Sequence, residues 1–260
     1  MLLTAGFITG LMVGLTGVGA GSLMTPLLIL VFGVAPATVI GTDLCFAALT
    51  KASAMRLHHH AGLIDWHVLQ RLWLGSIPAT ILSLVVIGTG QISIQENTLK
   101  TAVAAALLLT TIGIFCQPRL YRLMAHAATG YGERLIHTQA MLTVLFGAAL
   151  GVMVTFTSIG AGALGVVILA CLYPLRLTPA RLIATDIAHA VPLTFFAGFG
   201  HVAVGHVDFV LLGWLLCGSI PGVLIGASMS SRLPQQFLRY VLSIMLLVIA
   251  SRMLYSVVQS

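Results

Sequence analysis

The sequence predicts an all-α polytopic membrane protein with two inverted repeats, each a broken or re-entrant helix pair followed by three transmembrane helices. Three features predict this fold: the apolar composition, an internal repeat, and the positions of the basic residues. Of the 260 residues 59% are hydrophobic and only 7% are charged, and the mean hydropathy is +1.09. Because soluble domains carry about 25% charged residues, the composition excludes a soluble globular protein, a disordered chain and a nucleic-acid binder with a solvated basic face.

Six apolar runs reach the length of about 20 residues that a transmembrane helix needs. They are residues 36–58, 66–88, 98–117, 177–200, 207–229 and 234–258. Two further apolar stretches, 2–33 and 138–173, are interrupted by the segments TGVGAG and TSIGAG. Because glycine is a poor helix former, each stretch is either one long broken helix or a re-entrant hairpin. In the first stretch Gly6, Gly10 and Gly14 share a helix face, which allows close helix packing.

The two halves of the chain repeat each other. Ten residues recur at an offset of 143, namely Pro36, Thr42, Asp43, His58, Gly62, Asp65, Gly75, Ser76, Ile77 and Pro78, matched by Pro179, Thr185, Asp186, His201, Gly205, Asp208, Gly218, Ser219, Ile220 and Pro221. The glycine-rich break recurs at an offset of 141. Such duplication is typical of secondary transporters. The boundaries are an N-terminal repeat at 1–117, a connecting loop at 118–137 and a C-terminal repeat at 138–260.

The 12 basic residues favour inverted repeats over parallel ones. If both broken stretches cross the membrane, the halves are parallel and the basic residues divide about evenly between the two sides. If both stretches enter and return on one side, the halves are inverted and the basic residues divide ten to two. One side then holds Lys51, Arg56, Arg71, Arg119, Arg122, Arg134, Arg176, Arg181, Arg232 and Arg239, and the other holds Lys100 and Arg252. The uneven division agrees with the positive-inside rule.

The two glycine-rich breaks predict an anion site without a charged side chain. A half-helix that begins inside the membrane offers unpaired N–H groups and the positive end of its dipole. Two such ends would meet near the pseudo-twofold axis and hold an anion. The predicted substrate-binding residues are Thr16, Gly19, Gly21, Ser22, Thr42, Thr157, Ser158, Gly160, Gly162 and Thr185. The alternative is that the glycines only allow close helix packing.

Asp43 and Asp186 are the acidic residues that lie inside apolar runs. An intramembrane carboxylate is costly and indicates function, so both are candidates for proton coupling; the alternative is capping of a half-helix. His189, one turn after Asp186, is a candidate proton relay or a structural histidine. Lys51 either binds an anion, pairs with a carboxylate, or extends to the membrane surface.

Other motifs favour structural roles. Asp65 and Asp208 each precede a predicted span and read as helix N-caps. The His58-His59-His60 run has no acidic or cysteine cluster to complete a metal site, and the four cysteines show no metal or disulfide spacing. No nucleophile–base arrangement, Walker loop or dinucleotide fingerprint occurs in the sequence. We therefore expect no enzyme, no cofactor and no metal site.

The sequence resembles the TauE/SafE sulfite-exporter family, also called the TSUP family of membrane transporters. The resemblance covers nearly the whole chain, through GLTGVGAGSLMTPLLILVFGVAP, VIGTDLCFAALTK and HHHAGLIDWHVLQRLWLGSIP in the first half, and TSIGAGALGV, LIATDIAHAVP and GHVAVGHVDFVLLGWLLCGSIPG in the second. It implies transport of a sulfur-containing anion such as sulfite, thiosulfate or an organosulfonate. Many family sequences have Ser where this chain has Asp43 and Asp186.

The expected function is proton-coupled secondary transport of such an anion by alternating access, in a bacterial inner membrane. The expected partners are the small anionic substrate, protons and the lipid bilayer, and not nucleic acid. Three alternatives stay open at this point: a passive anion or proton channel, a membrane sulfur-relay protein that uses Cys45, and a metal-ion transporter that uses the histidines.

Overall fold

The computed structural model describes residues 2–16, 21–89, 95–128, 132–230 and 235–259. Within these ranges the chain forms ten α-helices and no strand, which confirms the all-α fold. The helices are α1 Leu2–Thr16, α2 Gly21–Leu30, α3 Pro36–His60, α4 Trp66–Gly88, α5 Glu96–Ala128, α6 Gly132–Thr157, α7 Ala163–Leu172, α8 Pro179–Ala203, α9 Phe209–Ser230 and α10 Gln235–Val258.

The helices form two sets of five, and the two sets interlock. The sequence repeat pairs α1 with α6, α2 with α7, α3 with α8, α4 with α9, and α5 with α10. The first helix of each half packs along the fourth helix of the other half, α1 on α9 and α6 on α4. The two third helices, α3 and α8, pack on each other, and so do α5 and α10. Each half therefore depends on the other to cover its helices.

Glycines bring the interlocking helices into backbone contact, as the spacing in α1 predicts. A Cβ atom on Gly10 of α1 would lie 2.7 Å from the Cα of Ser219 in α9. At the equivalent crossing, a Cβ atom on Gly151 of α6 would lie 3.0 Å from the Cα of Ser76 in α4. Only a residue without a side chain allows this approach, so both crossings use the small-residue packing common in membrane proteins.

Within the described residues, six helices are long and apolar enough to cross a membrane, the same number as predicted. They are Trp66–Gly88, Glu96–Leu123, Thr138–Thr157, Pro179–Ala203, Phe209–Gly226 and Tyr240–Val257. The set differs from the predicted one in two places. It includes Thr138–Thr157, expected as part of a hairpin, because α6 stays helical for 26 residues before the glycine-rich break begins. It lacks α3, whose C-terminal half carries Lys51, Arg56 and three histidines.

The first broken stretch has the predicted short pieces. Helix α1 has 15 residues and α2 has 10, and at 1.5 Å per residue neither reaches across about 30 Å of hydrocarbon. In the second stretch only α7, with 10 residues, is short in this way. The two broken stretches are thus similar in sequence but unequal in length.

The connecting loop predicted at 118–137 is largely helical, so its predicted secondary structure is wrong. Helix α5 continues through Pro118 to Ala128, and α6 begins at Gly132. The residues after Pro118 are mostly Leu, Arg, Met and Ala, which favour helix. Arg119 and Arg122 therefore lie on a helical extension of α5, and Glu133 and Arg134 lie in the first turn of α6.

Candidate functional site

The second glycine-rich break lies between α6 and α7 and depends on residues in unusual backbone conformations. Gly160 and Gly162 have φ values of 116° and 134°, a backbone conformation that strains any residue with a side chain. Ser158 has a φ of 58°. The Thr157 hydroxyl stabilises the turn, since it donates to the Met153 carbonyl at 2.6 Å and accepts from the Ile159 N–H at 3.1 Å. The TSIGAG sequence thus encodes a stable interruption.

Helix α7 begins after this break without a side-chain cap. Gly162 precedes its first residue and supplies no capping oxygen. The surroundings are buried, with Ser158 and Thr157 5% and 2% exposed. The N–H of Gly165, the third residue of α7, donates to the Gly160 carbonyl at 3.1 Å, which leaves the N–H groups of Ala163 and Leu164 to hold a small anion in this buried position.

The start of α2 meets the second break. Gly21, the first residue of α2, lies directly against the Ser158 carbonyl, so a Cβ atom there would collide with that oxygen. Ser22, which follows, is 5% exposed. Gly19 and the side chain of Thr16 lie outside the described residues. The structure therefore brings the start of α2 next to the second break.

Asp43 of α3 binds to both broken stretches. One carboxylate oxygen, Oδ2, accepts hydrogen bonds from the Thr25 hydroxyl of α2 at 2.9 Å and from the Ser158 hydroxyl at 2.7 Å. The residue is fully buried. Through these two hydrogen bonds Asp43 links α2 to the second break from within the protein.

Lys51, two turns along α3 from Asp43, also reaches the second break. Its Nζ donates to the Ala161 carbonyl at 2.6 Å. The side chain is half-buried, and its charge acts on both Asp43 and Asp186. Of the three roles predicted for Lys51, the structure favours a place among the carboxylates over one at the membrane surface.

Asp186 of α8 occupies a different environment. It is 1% exposed, and its Oδ1 has no hydrogen-bond partner among the described residues. This oxygen lies directly against Gly165, in the first turn of α7. One turn along α8, His189 is fully buried and its Nε2 is 3.0 Å from the Ser76 hydroxyl of α4. Asp186 therefore contacts α7 directly, and no polar group of the described residues lies between them.

Thr42 and Thr185 hold loops of the opposite half. The Thr185 hydroxyl accepts the Asp65 N–H at 3.1 Å, and the Thr42 hydroxyl accepts the Asp208 N–H at 3.0 Å. These reciprocal hydrogen bonds fix the turns before α4 and α9. The structure thus gives the two threonines structural hydrogen bonds, whereas the sequence predicts them as substrate-binding residues.

Comparison with known proteins now identifies the family. The family described as "Sulfite exporter TauE/SafE" matches residues 2–253. The chain belongs to the TauE/SafE family. A similar protein from Bacillus subtilis (strain 168), "Probable membrane transporter protein YjnA", is 34% identical over 95% of this chain and 96% of its own length.

A second Bacillus subtilis (strain 168) protein, "Probable membrane transporter protein YdhB", is 26% identical over 90% of this chain and 91% of its own length. No solved structure matches the chain. The family and the names of its relatives indicate a membrane transporter rather than an enzyme, which agrees with the apolar helices.

One cluster of this TauE/SafE protein is missing from the sequence prediction. Asp65 caps α4 through the Val68 N–H, as predicted, but it also accepts two hydrogen bonds from Arg176, at 2.8 Å and 2.9 Å. Arg181 lies 3.8 Å from the same carboxylate. The arginines are 111 and 116 residues from Asp65 in sequence, so no local pattern could have revealed the pairing.

These arginines decide the protonation of Asp65. Burial raises the pKa of its carboxyl group, but the hydrogen bonds from Arg176 and Val68 and the charges of Arg176 and Arg181 outweigh burial and hold the pKa below its usual value. Asp208, the equivalent residue, accepts hydrogen bonds from the Val210 and Leu211 N–H groups and has no ion pair among the described residues.

The cysteines and histidines form no further cluster. All four cysteines are free thiols, and Cys45 packs against Gly198 where α3 crosses α8. Within the described ranges no three His, Cys, Asp or Glu residues converge as metal ligands would. His201 and His206 face each other, with their Nδ1 atoms 3.3 Å apart, at the end of α8.

Proposed function

We propose that this protein is a proton-coupled secondary transporter of a small sulfur-containing anion such as sulfite, thiosulfate or a short organosulfonate. It acts in a bacterial inner membrane, by alternating access of two inverted repeats around a fixed site. The observation that carries the proposal is the start of α7, which has no side-chain cap and lies beside the place where Gly21 meets the Ser158 carbonyl.

The position of the anion follows from the helix ends. The uncapped start of α7 supplies N–H groups and a positive dipole, and the Ser158 hydroxyl and the start of α2 lie beside it. A sulfur oxyanion presents several acceptor oxygens to such donors. The family description "Sulfite exporter" supports this class of substrate.

Proton coupling rests on Asp43 and Asp186, with His189 as a possible partner. Both carboxylates are buried at the crossing of α3 and α8, next to the half-helices. A buried carboxylate at this depth binds a proton readily, because desolvation disfavours its charged form. The predicted alternation of access would then move the anion and protons across together.

The decisive experiment is uptake of sulfur-35-labelled sulfite, thiosulfate and a short alkanesulfonate into proteoliposomes, each with and without a pH gradient. The proposal predicts saturable uptake of at least one anion, competition by the unlabelled anion, and acceleration by the gradient. Protein-free liposomes are the first control. Uptake of none of these anions would exclude the proposed substrate class.

Two variants separate the alternatives. A passive channel predicts flux that neither saturates nor responds to a pH gradient beyond the membrane potential. A sulfur relay through Cys45 requires a reactive thiolate, so Cys45→Ala would abolish its activity. We expect Cys45→Ala to retain uptake, because the thiol packs against Gly198 and the apolar core, whereas Ser158→Ala should weaken it by removing a hydroxyl from the break.

A further inference from the structure

The two buried carboxylates, equivalent in the sequence repeat, differ in their hydrogen bonds. Asp43 Oδ2 accepts from Thr25 and Ser158 at 2.9 Å and 2.7 Å. Asp186 accepts no hydrogen bond from a hydroxyl group within the described residues, and the Oδ1 atom of each carboxylate has no partner there. The cause is visible in the sequence, since the repeat equivalent of Thr25 is Val166 and that of Ser158 is Gly17.

The lysine that accompanies Asp43 is also restricted to one half. Lys51 binds the Ala161 carbonyl at 2.6 Å, which fixes the second break from α3. Its repeat equivalent, Thr194, donates to the Ala190 carbonyl of its own helix. Asp43 and Lys51 thus hold the second break at Ser158 and Ala161, and no equivalent pair on α8 reaches across in this way within the described residues.

From these differences we propose that Asp186 carries the transported proton while Asp43 is a positioning residue for the break, and that proton and anion move in the same direction. The proposal rests on the proposed function and deepens it. Two hydroxyl groups donate to the Asp43 carboxylate and stabilise its charge. No hydroxyl group donates to Asp186 within the described residues, so a proton there removes the larger cost of a buried charge.

The direction of coupling follows from the contact between Asp186 and α7. Asp186 Oδ1 lies against Gly165, in the first turn of the helix whose N-terminus would hold the anion. An ionised Asp186 and a bound anion are like charges at one helix end. Protonation of Asp186 therefore strengthens anion binding, and by linkage the anion strengthens proton binding. A site that binds the anion and the proton together favours co-transport of the two over their exchange.

The other charged groups near Asp186 do not replace it. Lys51 of α3 is the group whose charge acts on it, and the same lysine also acts on Asp43. On α8 itself His189 faces Ser76. On α4 His67 is exposed and Arg71 contacts the Tyr173 hydroxyl. Helix α7 and the 138–157 part of α6 contain no charged residue, and Asp65, whose N–H binds Thr185, is paired with Arg176.

The test uses methanesulfonate, because its charge does not change across the neutral pH range, so any pH dependence belongs to the protein. Binding to the purified protein and flux into proteoliposomes are measured against pH. In the unmodified protein, affinity should fall by up to about tenfold per pH unit on the alkaline side. Methanesulfonate added to one side should drive protons in its own direction, which a pH-sensitive dye reports.

Two asparagine variants separate the roles. Asp186→Asn should bind methanesulfonate with an affinity that no longer depends on pH, and should exchange it without moving protons. Asp43→Asn, and the milder Thr25→Val and Ser158→Ala, should bind it more weakly but keep the pH dependence of the unmodified protein. A merely structural role for Asp186 would lower flux without flattening the pH profile.

The opposite pattern would overturn the proposal. It fails if Asp186→Asn keeps the pH dependence, if Asp43→Asn loses it, or if the dye reports protons moving against the anion. Absence of binding and flux for all sulfur anions in the unmodified protein would instead refute the proposed function, and this inference with it. Should Asp186→Asn not fold, Gly165→Ala serves, since its Cβ displaces Asp186 Oδ1 and should shift the pH profile.

Discussion

The two halves of the protein share a helix scaffold but differ in the polar contacts built on it. The crossings of α1 with α9 and of α6 with α4 use equivalent glycines and serines, and the Thr42 and Thr185 hydrogen bonds are reciprocal. The carboxylates of the two halves, by contrast, have unequal partners. The two halves pack alike where both need the same contact, and they differ at their charged residues.

The largest expected effect tests the symmetric part. Gly10→Ala and Gly151→Ala each place a Cβ against the backbone of the partner helix, so both should destabilise the protein by about 2 kcal/mol. Thermal unfolding of the purified variants measures this. Equal losses are expected because the two crossings are equivalent.

Gly213→Ala is the matched control, because no heavy atom lies within 4 Å of its added Cβ. It should leave stability unchanged or raise it slightly. If Gly10→Ala and Gly151→Ala behaved like this control, close packing at the crossings would not stabilise the fold.

A smaller effect tests the asymmetry between the loops. Asp65→Asn removes the ion pairs with Arg176 and Arg181 and should cost about 1–2 kcal/mol. Asp208→Asn should cost only a few tenths of a kcal/mol, because asparagine caps a helix nearly as well as aspartate. The pair is compared by the midpoint of thermal unfolding, and equal losses would show that the arginines contribute nothing.

The smallest effect is the pH dependence of this difference. The pKa of Asp65 is held below its usual value, so its stabilisation is complete above the pKa of the unfolded state and is lost as pH falls through the folded-state value. The unfolding midpoints of the unmodified protein and Asp65→Asn should differ by a constant amount near neutrality and converge below about pH 4. Convergence of the two unfolding midpoints at neutral pH would contradict a lowered pKa of Asp65.

Local patterns predicted much of this structure. Glycine-rich breaks, the caps at Asp65 and Asp208, and most helix positions follow from short segments of sequence. The contacts between distant residues did not follow, because Asp43 and Ser158 are 115 positions apart and Lys51 and Ala161 are 110 apart. The repeat predicts which positions are equivalent, but the site depends on residues that differ between the two halves.

The length of α6 shows another limit. The predicted division of the basic residues assumes that the two broken stretches are alike, because their glycine-rich segments are alike. Helix α6 is 26 residues long and α1 is 15, because α6 continues into the polar residues before Thr138. The repeat thus predicted the position of the break but not the length of the helix that precedes it.

A sulfur anion is proposed to bind where the two broken stretches meet. A structure of the protein in lipid nanodiscs, determined with saturating thiosulfate, tests this proposal. Density for the anion is expected at the N-terminus of α7, beside Gly21 and next to the Ser158 side chain. Density at the exposed Arg176 and Arg181 pair instead, or an empty junction at saturating thiosulfate, would contradict it.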